Sequence, residues 1–423
     1  MPNSRDLVEQ ALARIAEVDP LVNAVCTLDP TALAQADARD AETAAGAGRG
    51  ALHGVPVLVK DNVDTAGLAT TAGSLALAAA EPPATDAELV RRLRAAGAVV
   101  LGKTNLSEWA NFRDAESTSG WSAYGGLTRN PYALNRSAGG SSSGSGAAVS
   151  AGIVGLAVGT ETDGSITSPA AYNGCVGLKP SLALVPTSGV VPISSSQDAP
   201  GALASTVAGA ATLLGVLADL PGLAAAADPT ALAGRRIGVP RAPWWGYSRH
   251  ADAAGEQALR LLADAGAVIV DDVDLGELAD LDSADELAVL LAEFRSGIAD
   301  YLATRVAASD TVLPRTLEDV VAFNRAHAAT ELVHFGQSIL EACLEAPGVD
   351  SGEYAAARAR CVEVSRGGID RALEAHGLDA LLTPSYGPAH PIDLVGPEHH
   401  LGSCTSPTAM AGYPLLTVPV QLA

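Results

Sequence analysis

Lysine is nearly missing from this chain. Of 26 basic residues only Lys60, Lys103 and Lys179 are lysine, and the rest are arginine. Aromatic residues are also scarce, at 4%, so the core must be built from Ala, Val, Leu and Ile. No apolar run reaches the ~18 residues of a membrane helix, and residues 1–6 lack the apolar stretch of a secretory signal. The five cysteines (Cys26, Cys175, Cys343, Cys361, Cys404) are odd in number, scattered and without a C-x-x-C spacing. That excludes a disulfide framework and fits buried thiols in a reducing compartment, so the cytoplasm is expected. The shortage of basic charge, with a net charge of −22, argues against nucleic acid or another polyanion as partner.

What is present suits a folded protein. Hydrophobic residues form 48% of the 423 positions and charged residues 17%, enough for a sizeable core and against global disorder. The length allows up to about three domains or one large α/β domain. Apolar periodicity predicts helices over 4–18, 31–45 and 86–96, with Pro20 and Gly97 beyond the first and last. Buried strands are expected at 55–59 and 98–101, after the helix tail that follows residue 147, and near 175–178, 236–239, 267–270, 379–383 and 415–419. Residues 112–146 are rich in Gly, Ser, Asn and Arg with little periodicity, and 283–377 read as almost wholly helical. Strands alternating with helices imply an α/β sheet covered on both faces. The last strand reads as a core strand close to Ala423, which suggests that further C-terminal elements are lacking.

Residues 97–104 match G-x-x-x-x-G-K-[ST], the phosphate-loop pattern. That loop needs a strand before it and a helix after it. Here a helix precedes Gly97 and the four middle residues are themselves strand-like, so a strand leading into a loop is the better reading. G-x-S-x-G occurs only at 140–144, inside a Gly/Ser stretch, and most histidines lie after residue 249 in helices or in the loop around His399-His400. No Cys/His spacing suits zinc, so no metal is expected.

The informative segment runs from Ser137 to Pro169. A Gly/Ser stretch (139–146) leads into an apolar helix and strand, and a second Gly/Ser turn, Thr162-Asp163-Gly164-Ser165, follows. A flexible linker is the plain reading of the first stretch, but it joins no two domains. A helix of about ten residues travels ~15 Å, and a strand of about five returns ~17 Å. Ser141 and Ser165, 24 positions apart, can therefore lie at one end of a sheet. Lys60, at the end of its own strand, can join them if that strand is a neighbour.

Such a trio has a chemical use. A serine hydroxyl is a poor nucleophile unless a base takes its proton. Lysine is a base only when neutral, and burial favours the neutral form. Arginine stays charged, which accounts for a lysine persisting at position 60 against the arginine bias. The competing reading is a strand end whose lysine snorkels to water. A second serine can relay the proton, and backbone N–H groups of the 162–165 turn can face a developing oxyanion.

At these positions the chain resembles the amidase signature family. The matching text includes Gly54-Val55-Pro56 through Lys60-Asp61-Asn62, Leu101–Asn105, Thr128–Pro131, Gly139-Gly140-Ser141-Ser142, Gly159–Ser165 and Gly177–Pro180. The likeness is close over 52–207 and weaker on either side. It implies a single domain over 1–423 with a large mixed twisted β-sheet sandwiched between layers of α-helices, and a helical substrate-side region at 283–377. It implies hydrolysis of a carboxamide, small or peptide, by water through an acyl-enzyme. Ser165 would be the nucleophile, Ser141 the bridging serine after a cis peptide, and Lys60 the base. Thr162, Asp163, Gly164 and Ser142 would serve the oxyanion and substrate, with no cofactor, no metal and no membrane partner. Many members carry arginine two positions after the nucleophile. Thr167 stands there, which favours a neutral or apolar substrate, and Asp163-Gly164 in place of the usual Gly-Gly pair is more like the peptide-amidase branch. Ala202 and Ser205 replace the family's Pro and Arg, which predicts a looser loop. The alternatives are the glutamine-hydrolysing subunit of a tRNA-dependent amidotransferase, or a truncated non-catalytic relative.

Overall fold

Side chains alternate across a strand, so a strand buried on both faces must feed two cores. Pro56–Lys60 is such a strand, buried along its whole length. Val57 and Val59 enter one apolar cluster and Leu58 enters another. The computed structural model describes residues 3–280, 283–308 and 311–420. Its main sheet comprises Val25–Leu28 (β1), Pro56–Lys60 (β2), Val99–Thr104 (β3), Leu156–Glu161 (β4), Val176–Lys179 (β5), Ala199–Ala204 (β6) and Leu415–Thr417 (β7). The spatial order is β1-β3-β2-β4-β6-β5-β7. Strands β3, β2 and β4 run parallel, and the other pairings are antiparallel. Arg236–Val239, Val268–Asp271 and Ala380–Leu381 form a separate parallel sheet.

Helices cover both faces. Ser4–Val22 (α1), Ser143–Ser150 (α3) and Thr167–Asn173 (α4) pack Val8, Ile15, Ala147 and Ala170 against Leu58, Leu101, Ala157 and Leu203. Glu88–Ala95 (α2) and Val207–Leu217 (α5) pack Leu89, Leu93, Leu213 and Leu217 against Val59, Val100, Val158 and Ala202. Each fully buried Leu or Val contributes ~1.5–3 kcal/mol to holding these layers. The stretch 283–377 is mostly helical, including Ser283–Ala303 (α6) and Gly352–His376 (α7); residues 309–310 of it lie outside the described residues. It docks Phe294, Ile298 and Leu340 against Trp109, Phe112 and Ile193 from the loops beside the main sheet.

Several expectations change. Helix α1 runs past residue 18 with Pro20 inside its last turn, closed by Asn23 in the left-handed region. Strands β1 and β6 are additional. The β6 text, Ala-Pro-Gly-Ala-Leu-Ala, reads poorly as strand because Pro and Gly disfavour one. Yet every β6 residue is buried, so Ala202 sits in a central strand and not in a loosened loop. Strand β7 pairs only with β5 among the described residues, and Leu416 is exposed, so it is an edge strand rather than a core strand. Val99–Thr104 is a continuous strand after helix α2, which removes the phosphate-loop reading. The Gly/Ser stretch is not a flexible linker: Ser141, Ser142, Ser143 and Ser145 have no exposed surface. No described helix is long and apolar enough to cross a membrane.

Candidate active site

All three lysines are fully buried, and none snorkels. Lys103 is paired with Asp61 at 3.1 Å and also donates to the carbonyls of Val63 and Ala69. Lys179 donates only to the Thr408 carbonyl among the described residues, at 3.3 Å. Lys60 differs from both. It ends β2, where the register places Val59 beside Val158 of β4, so its side chain meets the next turn of β4. Its Nζ donates to Ser141 Oγ at 2.8 Å, Thr160 Oγ1 at 2.9 Å and the Thr160 carbonyl at 3.2 Å. No carboxylate lies within ion-pair distance of it among the described residues. Burial pulls its pKa down to about 7, against the opposing pull of Asp198 and Glu161. A large fraction of the amine is thus neutral near neutral pH.

The two serine turns are joined by backbone. Gly140–Ser141 is a cis peptide, and the Ser141 carbonyl accepts the Ser107 N–H at 3.1 Å. The Ser142 N–H donates to the Ser165 carbonyl at 3.0 Å. Side-chain atoms at position 140 would overlap Ser107 Oγ, so only glycine admits this approach. The hydroxyl of Ser165 has no hydrogen-bond partner among the described residues, and it makes no bond to Ser141. Ser165 is 7% exposed where Ser141 is closed off completely. Ser165 therefore offers a hydroxyl free of protein partners among the described residues, while Ser141 is held by the interior amine.

The turn after β4 is built to leave its donors free. Glu161 Oε2 accepts the N–H groups of Ile166 at 2.7 Å and Thr167 at 2.8 Å, and the Thr167 hydroxyl at 3.0 Å. That carboxylate closes the first turn of α4 and pulls the chain 162–165 into an outward bow. Within this bow the N–H groups of Thr162, Asp163, Gly164 and Ser165 have no protein acceptor among the described residues. Gly164 adopts φ +80°, and a Cβ there would overlap Tyr386 Oη. Unpaired N–H groups in such a turn can bind negative charge.

Not every residue expected here faces the site. The Ser142 hydroxyl donates to the Thr160 carbonyl at 3.1 Å and accepts the Thr160 N–H at 3.2 Å, so it secures β4. Thr167 is fully buried against Glu161; its side chain does not line a substrate cleft, so substrate charge cannot be read from it. The Asp163 carboxyl accepts the Ser406 hydroxyl at 2.6 Å and is raised in pKa by burial. Sequence reasoning missed Asn62, whose Nδ2 donates to Thr160 Oγ1 at 2.9 Å. It also missed Asp198, which accepts the Thr162 hydroxyl at 2.5 Å and whose pKa burial pushes up to about 6. Glu286 on α6 was missed as well. It accepts from Gln197 at 2.8 Å, and burial pushes its pKa up to about 8. Asn62 and Asp198 adjoin segments already conspicuous in the sequence. Glu286 gave no signal, since it is one acid among many on a long helix.

Comparison with known proteins agrees with this geometry. The Amidase family profile matches residues 6–423. The crystal structure of native peptide amidase from Stenotrophomonas maltophilia superposes with a TM-score of 0.89 at 46% identity, covering 99% of this chain and 87% of that one. A protein named as a probable amidase in Arabidopsis thaliana is 36% identical over 98% of this chain and 80% of its own length. A glutamyl-tRNA(Gln) amidotransferase subunit from Thermotoga maritima superposes with a TM-score of 0.69 at 25% identity, covering 99% of this chain and 85% of that one. With a family match along nearly its whole length, a mixed sheet between helical layers and a buried lysine–serine pair beside a second serine, this chain belongs to the amidase family.

Proposed function

We propose that the chain hydrolyses a carboxamide through an acyl-enzyme on Ser165, with Lys60 as base and Ser141 as proton relay. Ser165 Oγ attacks the amide carbon while its proton passes to Ser141, whose own proton passes to the neutral Lys60 amine. The carbonyl oxygen gains a negative charge, met by the N–H groups of residues 162–165. The C–N bond then breaks, the departing nitrogen takes the proton back along the same path, and ammonia or an amine leaves. Water, deprotonated by the same relay, attacks the Ser165 ester and releases the carboxylic acid. The observation carrying this reading is the 2.8 Å contact between Ser141 and a wholly buried Lys60 that lacks an ion-pair partner.

A neutral substrate is favoured over an anionic one, because around the turn the acids Glu161, Asp163, Asp198 and Glu286 outnumber the bases Lys60, Lys179 and His400. The stronger structural likeness to the peptide amidase than to the amidotransferase protein supports a free-standing amide hydrolase, with a small amide or a peptide amide as substrate. Five unpaired cysteines support a reducing compartment, the cytoplasm. The test is turnover of a panel of amides by Ser165→Ala and Lys60→Arg. Ser165→Ala should be inactive. Lys60→Arg keeps the charge but cannot be neutral, and should lose the ~10²–10⁴-fold that a general base contributes. Full activity in either variant overturns the scheme.

A further inference from the structure

One half-buried acid beside the proton path has no part in the scheme so far. Asp198 immediately precedes β6, and Ala199 lies opposite Glu161 of β4, so Asp198 and Thr162 meet across the ends of the two strands. Its Oδ1 accepts the Thr162 hydroxyl at 2.5 Å, and its Oδ2 accepts the N–H groups of Ile193 at 2.9 Å and Ser194 at 3.0 Å. Three donors hold the carboxylate, and no cation pairs with it among the described residues. Lys60 stands on β2, the other neighbour of β4. Asp198 and Lys60 therefore flank the same strand end, each lacking an ion-pair partner. A carboxylate shielded from water is disfavoured unless its surroundings compensate, and among the described residues only these three donors do so.

We propose that Asp198 is a positioning residue: its bond to Thr162 fixes the turn whose N–H groups face the reacting carbonyl, and its negative charge sets the protonation balance of Lys60. The other charges around Lys60 are Glu161 on β4 and the Asp61–Lys103 pair at the ends of β2 and β3; α3 carries no charged residue. The buried face of α1 is Ser4, Val8, Ala11, Ile15 and Val22. Asp198 itself faces Glu293 of α6 and, through Gln197, Glu286. Among these, Asp198 exerts the largest charge effect on Lys60, ahead of Glu161. Burial pulls the amine down and Asp198 pulls it up, towards a midpoint at which it can both accept a proton and return one to the leaving nitrogen.

The rate part of this proposal rests on the catalytic scheme above, and the electrostatic part does not. Three lysines allow a direct test, because protein labelled with [¹³Cε]lysine gives three signals, and Lys60→Met identifies the one from Lys60. Asp198→Asn should lower the Lys60 midpoint by at least about one pH unit and move the acid limb of kcat/KM down with it. Thr162→Val keeps the carboxylate charge. It should leave the midpoint within about 0.3 unit and lower kcat about tenfold or more, with KM changed less than about threefold. Should Asp198→Asn fail to fold, wild type carries the same test: the Lys60 signal should show a second, smaller inflection near pH 6 as Asp198 titrates. An unmoved midpoint in folded Asp198→Asn, a missing second inflection, or full kcat in Thr162→Val overturns the proposal. If Lys60→Met stays fully active, the catalytic scheme fails, and the NMR midpoints still decide whether Asp198 governs Lys60.

Discussion

The three lysines show how one residue type divides by environment. Each lies at or one residue before the end of its strand, yet Lys103 has a carboxylate, Lys179 a lone carbonyl, and Lys60 two hydroxyls and a carbonyl. Lys103 also reaches the Thr70 hydroxyl, so what sets Lys60 apart among the described residues is contact with hydroxyls and no carboxylate within ion-pair distance. Its candidacy was legible because arginine dominates elsewhere and cannot be neutral. Asp198 was not legible, since an aspartate in a chain with 48 acids carries no such contrast. Two consequences follow for Lys60. Activity should rise with pH along an acid limb centred near 7, the midpoint of the buried amine, and level off above it. Stability should shift in the same direction. The folded-state midpoint lies below the ordinary 10.5, so between about 7 and 10.5 the unfolded chain binds more protons and stability rises with pH. Urea titrations at about pH 6.5 and 9.5 should therefore show wild type gaining on Lys60→Met at the higher pH, and no relative gain would contradict a neutral buried amine.

At the scale of elements, the site is one strand end and the turns around it. Strand β4 delivers Thr160 to Lys60, and Glu161 closes α4 so that the bow between them presents bare N–H groups. The 24-residue interval between Ser141 and Ser165 was enough to foresee a helix out and a strand back, because both rises are fixed by backbone geometry. The partner strand β6 escaped notice for an equally physical reason. Its burial comes from neighbours on both sides, which overrides the poor strand preference of Ala, Pro and Gly. Gly164 offers a sharp test of the bow. Gly164→Ala forces a side chain onto φ +80° and into Tyr386 Oη, so it should lower stability by ~1–3 kcal/mol and kcat by about tenfold or more. Adding Tyr386→Phe removes the overlapping hydroxyl and should restore part of the stability but leave the backbone strain. A double-mutant cycle with no coupling would show that the two residues do not meet.

Across the whole molecule, we propose that the main sheet and the helical layer 283–377 form one folding unit. Besides the shared apolar cluster, a buried clasp supports this: Arg305, just beyond α6, donates to Asp64 at 3.0 and 2.9 Å, and Tyr301 donates to the same carboxylate at 2.9 Å. Asp64 lies four residues after Lys60, so the clasp ties the helical layer to the loop leaving β2. Arg305→Ala should destabilise by ~3–5 kcal/mol, the effect of leaving a buried carboxylate unpaired, within a single cooperative unfolding transition. Separate melting of the two regions would contradict one unit. The layering was foreseeable from alternating strands and helices. Which loops the helical layer would clasp was not, because Asp64 and Arg305 are 241 positions apart and neither is unusual locally.

The central claim is a nucleophilic Ser165 served by a neutral lysine, and an alkyl fluorophosphonate tests it without knowledge of the substrate. The account predicts one phosphonyl group per chain, located on Ser165 by tandem mass spectrometry. Its rate of attachment should rise with pH through a midpoint near 7 and be nearly lost in Lys60→Arg. A chain left unlabelled, labelled on another residue, or labelled equally fast in Lys60→Arg would contradict it.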